Sequence, residues 1–324
     1  MIEASFVIIA FNEQERVERA LQSISAQQMT GDYEIVVVDD CSSDATAAIA
    51  ERYREIDPAT RVVRHETNLG RGAARASGVR AAAGRYVAMV DADIELPPDW
   101  YARCVVALDS CDAVSGIPIP DGDAMFIYRT FGFEPKPTHS TKSITGNNAL
   151  FRSEVFERVS FEGSLRNGED IALSHALEQA GLRAATIDDL TVRHEEGKGF
   201  WKSLSWMFES GQGAHRQLLR YRVIRAPDLA FLAWFASIAA AARVRRFRAA
   251  ALPMTVSAAV SAAHLQRKFR LDGEPPSRVL AAIGAGTLMM SAYLGGRLAA
   301  PLTTVVGGGL RAARSSGDRG AGRT

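Results

Sequence analysis

Two aspartates separated by a single alanine, Asp91 and Asp93, stand at the end of the short apolar run 85–91. Side chains two positions apart on a strand point to the same face of the sheet. Two carboxylates held this close repel each other, and a hard cation such as Mg²⁺ or Mn²⁺ removes the repulsion while binding the phosphates of a substrate. The pair therefore predicts a metal site, although two solvated turn aspartates are the simpler interpretation of so short a pattern.

Three other apolar runs also end in polar residues, which places the aspartate pair in a larger arrangement. The strand-like runs cover 4–10, 34–39, 61–65 and 85–91. Segments with helical periodicity separate them, at 14–28, 44–56 and 71–83. Strands that alternate with helices predict a parallel α/β sheet, whose ligands bind beyond the carboxyl ends of the strands. We therefore expect the polar residues that follow the four runs to meet at one edge of the sheet.

The order and spacing of these segments resemble those of family 2 glycosyltransferases, which have the nucleotide-sugar-binding GT-A fold. The residues that carry the resemblance are Ile8–Glu13, Val36–Thr46, Asn68–Gly78, Gly84–Asp93, Gly146–Arg152 and Gly168–Asp170. No single motif is specific, but the ordered set is, and it covers residues 3–200. The resemblance implies a Rossmann-like mixed α/β sheet flanked by helices. It also implies an inverting transfer of sugar from a nucleoside-diphosphate donor, expected to be a UDP-sugar, to a hydroxyl or phosphate acceptor.

The resemblance assigns the donor site residue by residue. Asp40 corresponds to the aspartate that hydrogen-bonds the nucleobase, and Asp91 to the one that meets the ribose and the metal. Strand-end positions correspond to residues that wall the nucleoside, and positions in the glycine-rich segment correspond to residues beside the base and ribose. The remaining residues expected to bind substrate are Ala10, Phe11, Glu13, Arg71, Arg75, Asn147 and Asn148.

Catalysis is expected from the acidic pair that ends the last motif, Glu169 and Asp170, with Asp170 as the base. Inverting displacement needs a carboxylate to accept the acceptor proton and a cation to stabilise the departing diphosphate. Mn²⁺ or Mg²⁺ is expected on Asp93, with Asp91 and His194 as further candidate ligands, although a lone histidine is more often structural. A following helix would lower the pKa of Asp170 through its dipole. The alternative role for Asp170 is a cap of that helix.

Two other functions remain open from the sequence. A sugar nucleotidyltransferase would begin with a Gly-x-Gly-x-Arg loop, whereas the first run here continues into Ala10 to Glu13 without one. A non-catalytic GT-A scaffold would be expected to lack Asp93 or Asp170, and both are present. A dehydrogenase is disfavoured because no GxGxxG follows the first strand.

The last third of the chain differs in charge from the rest. From Trp201 onward there are 18 Lys and Arg against 5 Asp and Glu, compared with 20 against 32 before it. Arginine clusters flank the apolar runs 229–242, 249–265 and 279–296. These runs predict either a helical accessory domain or helices that associate with an anionic membrane. Nucleic acid is disfavoured because aromatic residues do not alternate with the basic ones.

The sequence thus predicts four regions and a location. The regions are a catalytic domain at 1–200, a basic amphipathic linker helix at 201–228, an apolar helical region at 229–310 and a disordered tail at 311–324. Three cysteines without a CxxC pair indicate a reducing compartment, and no secretory signal is recognised at the N-terminus. We therefore expect an enzyme on the cytoplasmic face of the cell membrane, with a glycan or lipid-linked acceptor.

Overall fold

The computed structural model divides the chain into two compact units. The first contains Met1–Asp123 and Glu134–Gly197, and the second contains Ala124–Phe133 and Lys198–Thr324. The boundary near residue 197 lies close to the expected position, but residues 131–133, expected in the catalytic domain, belong to the second unit. The residues that the structure describes are 1–119, 131–133, 144, 146–166, 168–195, 200–221, 226–244 and 251–317.

The first unit is built on one mixed sheet of eight strands. In chain order these are β1 Ala4–Ala10, β2 Tyr33–Asp39, β3 Thr60–Arg64, β4 Tyr86–Asp91, β5 Ile94–Glu95, β6 Ala113–Ile119, β7 Asn148–Arg152 and β8 Ala184–His194. Their order across the sheet is β3-β2-β1-β4-β7-β6-β8-β5. The first four strands are mutually parallel, as predicted, and each lies within one residue of its predicted bounds. Strand β7 runs antiparallel to both of its neighbours, β4 and β6.

Helices cover both faces of this sheet. In the first unit they are α1 Val17–Ser25, α2 Thr46–Tyr53, α3 Arg71–Ala81, α4 Trp100–Ala107, α5 Val155–Arg158 and α6 Glu169–Gln179. Alternate residues of β1 enter two separate cores: Phe6 and Ile8 pack in one, and Val7 in the other. A strand buried on both faces needs a continuous apolar run, which is why the pattern of β1 and β2 shows no alternation.

The described part of the second unit is mainly helical. Its helices are α7 Phe200–Tyr221, α8 Ala226–Val244, α9 Ala251–Lys268 and α10 Pro276–Gly317. The predicted linker helix at 201–228 is thus two elements, because α7 ends at Tyr221 and α8 begins at Ala226. Helix α10 continues to Gly317, which lies within the stretch 311–324 that the sequence predicts to be a disordered tail. Residues 318–324 lie outside the described part of the chain.

Glycines allow a close contact between two helices of this unit. A Cβ at Gly211 of α7 would lie 1.9 Å from the carbonyl oxygen of Tyr293 on α10. A Cβ at Gly296 of α10 would lie equally close to the carbonyl oxygen of Phe208 on α7. Since any side chain would overlap the opposing backbone, the two glycines fix how α7 and α10 pack.

A buried ion pair joins two further helices of the second unit. Arg297 on α10 pairs with Asp228 on α8, and neither side chain is reached by solvent. The guanidinium of Arg297 also lies 5.0 Å from the ring centroid of Phe231. A buried charge left without its partner is strongly destabilising, so the two residues constrain which helix faces meet.

Candidate active site

The loops that follow β1 and β2 are linked to each other at the carboxyl ends of the strands. The N–H of Asn12 donates to the Ser42 hydroxyl (2.9 Å), and the N–H of Ser43 donates to the Asn12 side-chain oxygen (2.9 Å). Asn12 and Cys41 both have positive φ angles, 56° and 66°, which a non-glycine residue adopts only where its surroundings enforce it. The strand ends therefore form one rigid rim, at the edge predicted from the sequence.

Asp40 organises the centre of this rim. Its carboxylate accepts hydrogen bonds from the N–H groups of Leu69 (2.9 Å) and Gly70 (2.8 Å), and it lies 2.7 Å from Nδ1 of His65. Its own N–H donates to the carbonyl oxygen of Ala10. Asp40 thus fixes the loop that leads into α3, and both of its carboxylate oxygens already have partners within the chain. Its predicted contact with a nucleobase stays a prediction.

An arginine attaches that same loop to the segment that precedes α6. Arg166 donates from Nη1 to the Asn68 side-chain oxygen (2.9 Å) and from Nη2 to the Asn68 carbonyl oxygen (3.0 Å). The N–H of Gly72 donates to the carbonyl oxygen of Leu165. Gly70 has a φ of 91° and lies against Arg166, so a Cβ there would be strained as well as crowded. The loop that leads into α3 and the segment before Asp170 are therefore physically joined.

Arg75 lies deeper, between two of the predicted acidic residues. Its Nη2 donates to Asp91 (2.8 Å) and its Nε to Glu169 (3.3 Å), and only 2% of its side chain is exposed. Burial alone would lower the pKa of this guanidinium, but the carboxylates of Asp91 and Glu169 outweigh burial and raise it. Arg75 was expected beside the nucleoside. The structure places its guanidinium beneath the rim, and its contact with a donor stays a prediction.

Glu169 and Asp170 have different environments although they are adjacent. Glu169 is buried beside Arg75, and its Oε1 lies 3.8 Å from Nε of Arg71. Burial opposes ionisation, yet the two arginines prevail and lower the pKa of Glu169. A buried, ionised and paired carboxylate is poorly placed to take a proton from a substrate. The structure therefore favours a positioning role for Glu169 over the predicted catalytic one.

The pKa of Asp170 departs from expectation. Burial and the neighbouring Glu169 carboxylate raise this pKa, whereas the sequence predicted that a helix dipole would lower it. Asp170 is the second residue of α6, and the residue before the helix is Gly168, with a φ of 78°. The Asp170 carboxylate accepts only the N–H of Ile171 next to it (2.8 Å) among the bonds that the structure records, so it does not cap the helix in the expected way.

Asp93 and His194 meet at the far side of the rim. Nε2 of His194 lies 3.2 Å from Oδ2 of Asp93, because β5 pairs with β8 so that Ile94 lies opposite His194. The backbone reinforces this arrangement, since the Glu195 N–H donates to the Asp93 carbonyl oxygen (2.9 Å). Asp91, in contrast, is held by Arg75, which disfavours its predicted role as a metal ligand. Within the described ranges no group of three or more His, Cys, Asp or Glu side chains could hold a metal ion.

The remaining predicted substrate residues separate into accessible and buried positions. The ring of Phe11 is 46% exposed at the end of β1, and Glu13 follows it beside Arg16, with which it pairs. Asn147 accepts the N–H of Asp91 through its carbonyl oxygen. Asn148 is completely buried, and its side-chain oxygen accepts the N–H of Gly116 (2.7 Å). This position favours a structural role for Asn148 over contact with a substrate.

The sequence patterns did not predict two residues of the site, His65 and Arg166. His65 lies between Asp40 and the Ser77 hydroxyl, which is 2.9 Å from its Nε2. Since His65 directly follows β3, the rule that polar residues gather at strand ends was sufficient to find it. Arg166 gave no such signal, because it lies in an irregular segment whose partner, Asn68, is 98 positions away.

Comparisons with known proteins agree with this geometry. Residues 5–160 match the sequence model of the family described as Glycosyl transferase family 2. The chain is 32% identical over 207 residues to the succinoglycan biosynthesis protein ExoO of Rhizobium meliloti (strain 1021). That alignment covers 56% of this chain and 58% of the relative, so the chain spans little more than half of that protein.

Two solved structures share the fold. The mannosyltransferase PcManGT from Pyrobaculum calidifontis, in complex with GDP-Man and Mn²⁺, superposes with a TM-score of 0.58 at 23% identity, covering 90% of this chain and 86% of the other. Residues 1–349 of TarS from S. aureus, in complex with UDP-GlcNAc, superpose with a TM-score of 0.51 at 18% identity, covering 93% and 92%. The mixed sheet and its flanking helices are therefore a GT-A fold, as the sequence predicted.

Proposed function

Since residues 5–160 match the sequence model of Glycosyl transferase family 2, we propose that the chain is an inverting transferase that uses a nucleoside-diphosphate sugar as donor. The observation that carries the proposal is the arrangement of the rim. It brings the Asp40 loop, Asp91, Asp93 and the Glu169–Asp170 segment together at the carboxyl ends of β1, β2 and β4. This edge of an open α/β sheet is where such folds bind nucleotides.

In this proposal the donor lies along the rim. Phe11 and Ala10 form the wall beside the nucleoside, and Asp40 contributes either directly to the base or by fixing the Leu69–Gly70 backbone. Arg71, with 41% of its side chain exposed at the start of α3, is placed to meet negative charge on the donor. A UDP-sugar is the expected donor. The solved structures described above hold UDP-GlcNAc in one case and GDP-Man in the other.

Asp93 and His194 fit a divalent cation, since a carboxylate and an imidazole are both suitable donors and the fold brings them within 3.2 Å of each other. Mn²⁺ and Mg²⁺ commonly take one or two protein ligands and complete their shell with phosphate oxygens and water. Such an ion, when bound, would neutralise the charge that develops on the departing diphosphate. Of the two residues, Asp93 is the stronger candidate ligand, because its carboxylate is an anion whereas the His194 imidazole is neutral when it binds a metal.

Asp170 is the proposed general base. The acceptor hydroxyl must lose its proton as its oxygen bonds to the anomeric carbon, and the bond from that carbon to the diphosphate oxygen breaks on the opposite side. Asp170 accepts the proton through its carboxylate, and a raised pKa makes this carboxylate a stronger base than an ordinary aspartate. Glu169 stays ionised between the arginines and supports the segment that carries Asp170.

A donor-binding screen tests the proposal without knowledge of the acceptor. We expect calorimetry to show binding of at least one UDP- or GDP-sugar, strengthened by Mn²⁺ and weakened by EDTA. Free nucleoside triphosphates with sugar phosphates serve as the comparison, because a sugar nucleotidyltransferase would bind those instead. Failure of every nucleoside-diphosphate sugar to bind in the presence of Mn²⁺ would contradict the proposal.

We further propose that the second unit holds the enzyme at a membrane and that the acceptor is a lipid-linked or membrane-proximal glycan. The stretches 229–242, 251–266 and 279–296 contain no Asp, Glu, Lys or Arg. One helix segment, Pro276–Ala300, is long and apolar enough to cross a bilayer, with 39% of its most apolar window buried. Large apolar side chains also stand exposed on α8, namely Leu229, Leu232 and Phe235. The basic residues of this unit would favour an anionic, cytoplasmic surface.

Fractionation of cells that express the full chain tests this location. We expect the protein to pellet with membranes and to resist 1 M salt, because salt screens arginines but not buried apolar side chains. Exchanging Leu229 and Leu232 for Glu removes about 1.5–3 kcal/mol of burial at each position, so binding to anionic vesicles should fall at least roughly tenfold. The matched control Val106→Glu alters a residue that is 70% exposed on α4 and should have no effect. A full chain that stays soluble at low salt without detergent would contradict membrane attachment.

A further inference from the structure

We propose that Arg75 is a positioning residue that links the donor side of the site to the catalytic segment, by holding Asp91 and Glu169 on one buried guanidinium. The inference rests on the proposed function for its chemistry, but the contacts themselves are independent of it. Arg75 bonds Asp91 through Nη2 and Glu169 through Nε, and these two residues are 78 positions apart in the chain. One side chain thus ties β4 to the first turn of α6.

The surroundings of Arg75 make this link rigid. The guanidinium lies 5.9 Å from the ring centroid of Phe161, and a Cβ on Gly146 would come within 3.2 Å of it. Neither Nη1 of Arg75 nor Oε2 of Glu169 has a hydrogen-bond partner among the described residues. Because the charges are shielded from water, the ion pairs are weakly screened, and small displacements of either carboxylate are costly.

The charges held by this link affect the pKa of Asp170. The charged groups that act on it are Glu169 beside it and the guanidinium groups of Arg71 and Arg75. Burial and Glu169 raise the pKa of Asp170, and both arginines lower it, Arg71 more than Arg75. Arg75 thereby adds to the effect of Arg71 in two ways: it helps to keep Glu169 ionised, and it limits how far the pKa of the base can rise. A residue that contacts no substrate would then hold the segment that carries Asp170 in place and also contribute to the basicity of Asp170.

Three variants separate this role from simple structural support. Arg75→Lys keeps the charge and loses the two-atom geometry, Arg75→Met removes both, and Glu169→Gln removes the opposing charge. For Arg75→Lys we expect kcat to fall by roughly 10–100-fold, the usual range for residues that orient a site, while KM for the donor changes little. Loss of substrate contact would instead raise KM.

The two charge changes should shift the acid limb of the kcat–pH profile in opposite directions. Arg75→Met removes a positive charge, so the pKa of Asp170 should rise and the acid limb of the profile should move to higher pH. Glu169→Gln removes a negative charge, so the limb should move to lower pH. The matched control is Arg80→Met, an exposed arginine on the same helix that bonds Ser77, and its profile should equal that of the wild type.

Hydrogen–deuterium exchange tests the link without any activity. Arg75→Met should increase exchange at 87–93 and at 168–173 together, and Arg80→Met should increase it at neither. Unchanged exchange in both segments, with a melting temperature close to that of the wild type, would overturn the inference. So would acid limbs that move in the same direction in Arg75→Met and Glu169→Gln. If the wild type binds no nucleotide sugar, the proposed function fails, while the exchange result still decides whether Arg75 links the two segments.

Discussion

Replacing Asp170 by Asn is expected to lower kcat by roughly 10²–10⁴-fold, the usual contribution of a general base, while the affinity for the nucleotide sugar stays close to that of the wild type. The amide has the shape of the carboxylate but cannot accept the acceptor proton. The hydrogen bond that the Ser174 hydroxyl donates to the Asp170 carbonyl oxygen, and the start of α6, do not depend on the charge of the Asp170 side chain. The fold should therefore be unaffected.

The pH dependence of transfer by the wild type should also reflect the raised pKa of Asp170. A base acts only when it is deprotonated, so transfer falls as the pH drops through the pKa of Asp170. Since burial and Glu169 raise this pKa, the acid limb should lie above the pH at which an ordinary aspartate titrates. An Asp170→Asn enzyme should lose this limb together with its rate. Asp109→Asn, an exposed aspartate after α4, is the matched control, and near-normal transfer by Asp170→Asn would reduce Asp170 to a structural residue.

Replacing Asp93 by Ala is expected to abolish metal-dependent donor binding and to lower turnover by at least about 10²–10³-fold. A bound cation contributes several kcal/mol to such a transition state, and each 1.36 kcal/mol is a factor of ten in rate. The pairing of β5 with β8 should survive, because Asp93 contributes to it through its carbonyl oxygen, which receives the Glu195 N–H. Circular dichroism and the melting temperature check that the fold is intact.

Metal titration distinguishes this effect from a general loss of stability. In wild-type protein, EDTA should remove activity and added Mn²⁺ should restore it. His194→Ala should weaken the response to Mn²⁺ less than Asp93→Ala does, because a neutral imidazole contributes less to cation binding than a carboxylate. Full activity of the wild type in EDTA, or an undiminished Mn²⁺ response of Asp93→Ala, would contradict the metal role of this pair.

Local sequence patterns predicted the first half of the sheet well, for identifiable reasons. Strands β1 to β4 are buried on both faces and connected by helices, so each shows a continuous apolar run with polar residues at its end. Asp40, Asp91 and Asp93 follow directly from that pattern, because a parallel sheet brings the ends of its strands together. Asp170 came from the resemblance to a family and not from periodicity.

Long-range contacts account for what the sequence did not predict. Arg75 looks like one of several arginines on α3, and only the fold shows that it points inward to Asp91 and Glu169 while Arg80 stays exposed. The pKa of Asp170 depends on burial and on Glu169, neither of which a helix-dipole argument contains. Asn148 is buried, and its side-chain oxygen accepts the N–H of Gly116 on the neighbouring strand. Each of these depends on partners that are distant in sequence or on depth below the surface.

The most direct test of the account is the product released from nucleotide sugars. Wild-type protein with Mn²⁺ should release a nucleoside diphosphate from at least one UDP- or GDP-sugar, slowly when water is the acceptor, and NMR should show inversion at the anomeric carbon. Asp170→Asn and Asp93→Ala should each release far less from the same donor, and Asp109→Asn should match the wild type. Release of pyrophosphate from a nucleoside triphosphate and a sugar phosphate, with no diphosphate from any sugar donor, would contradict the account.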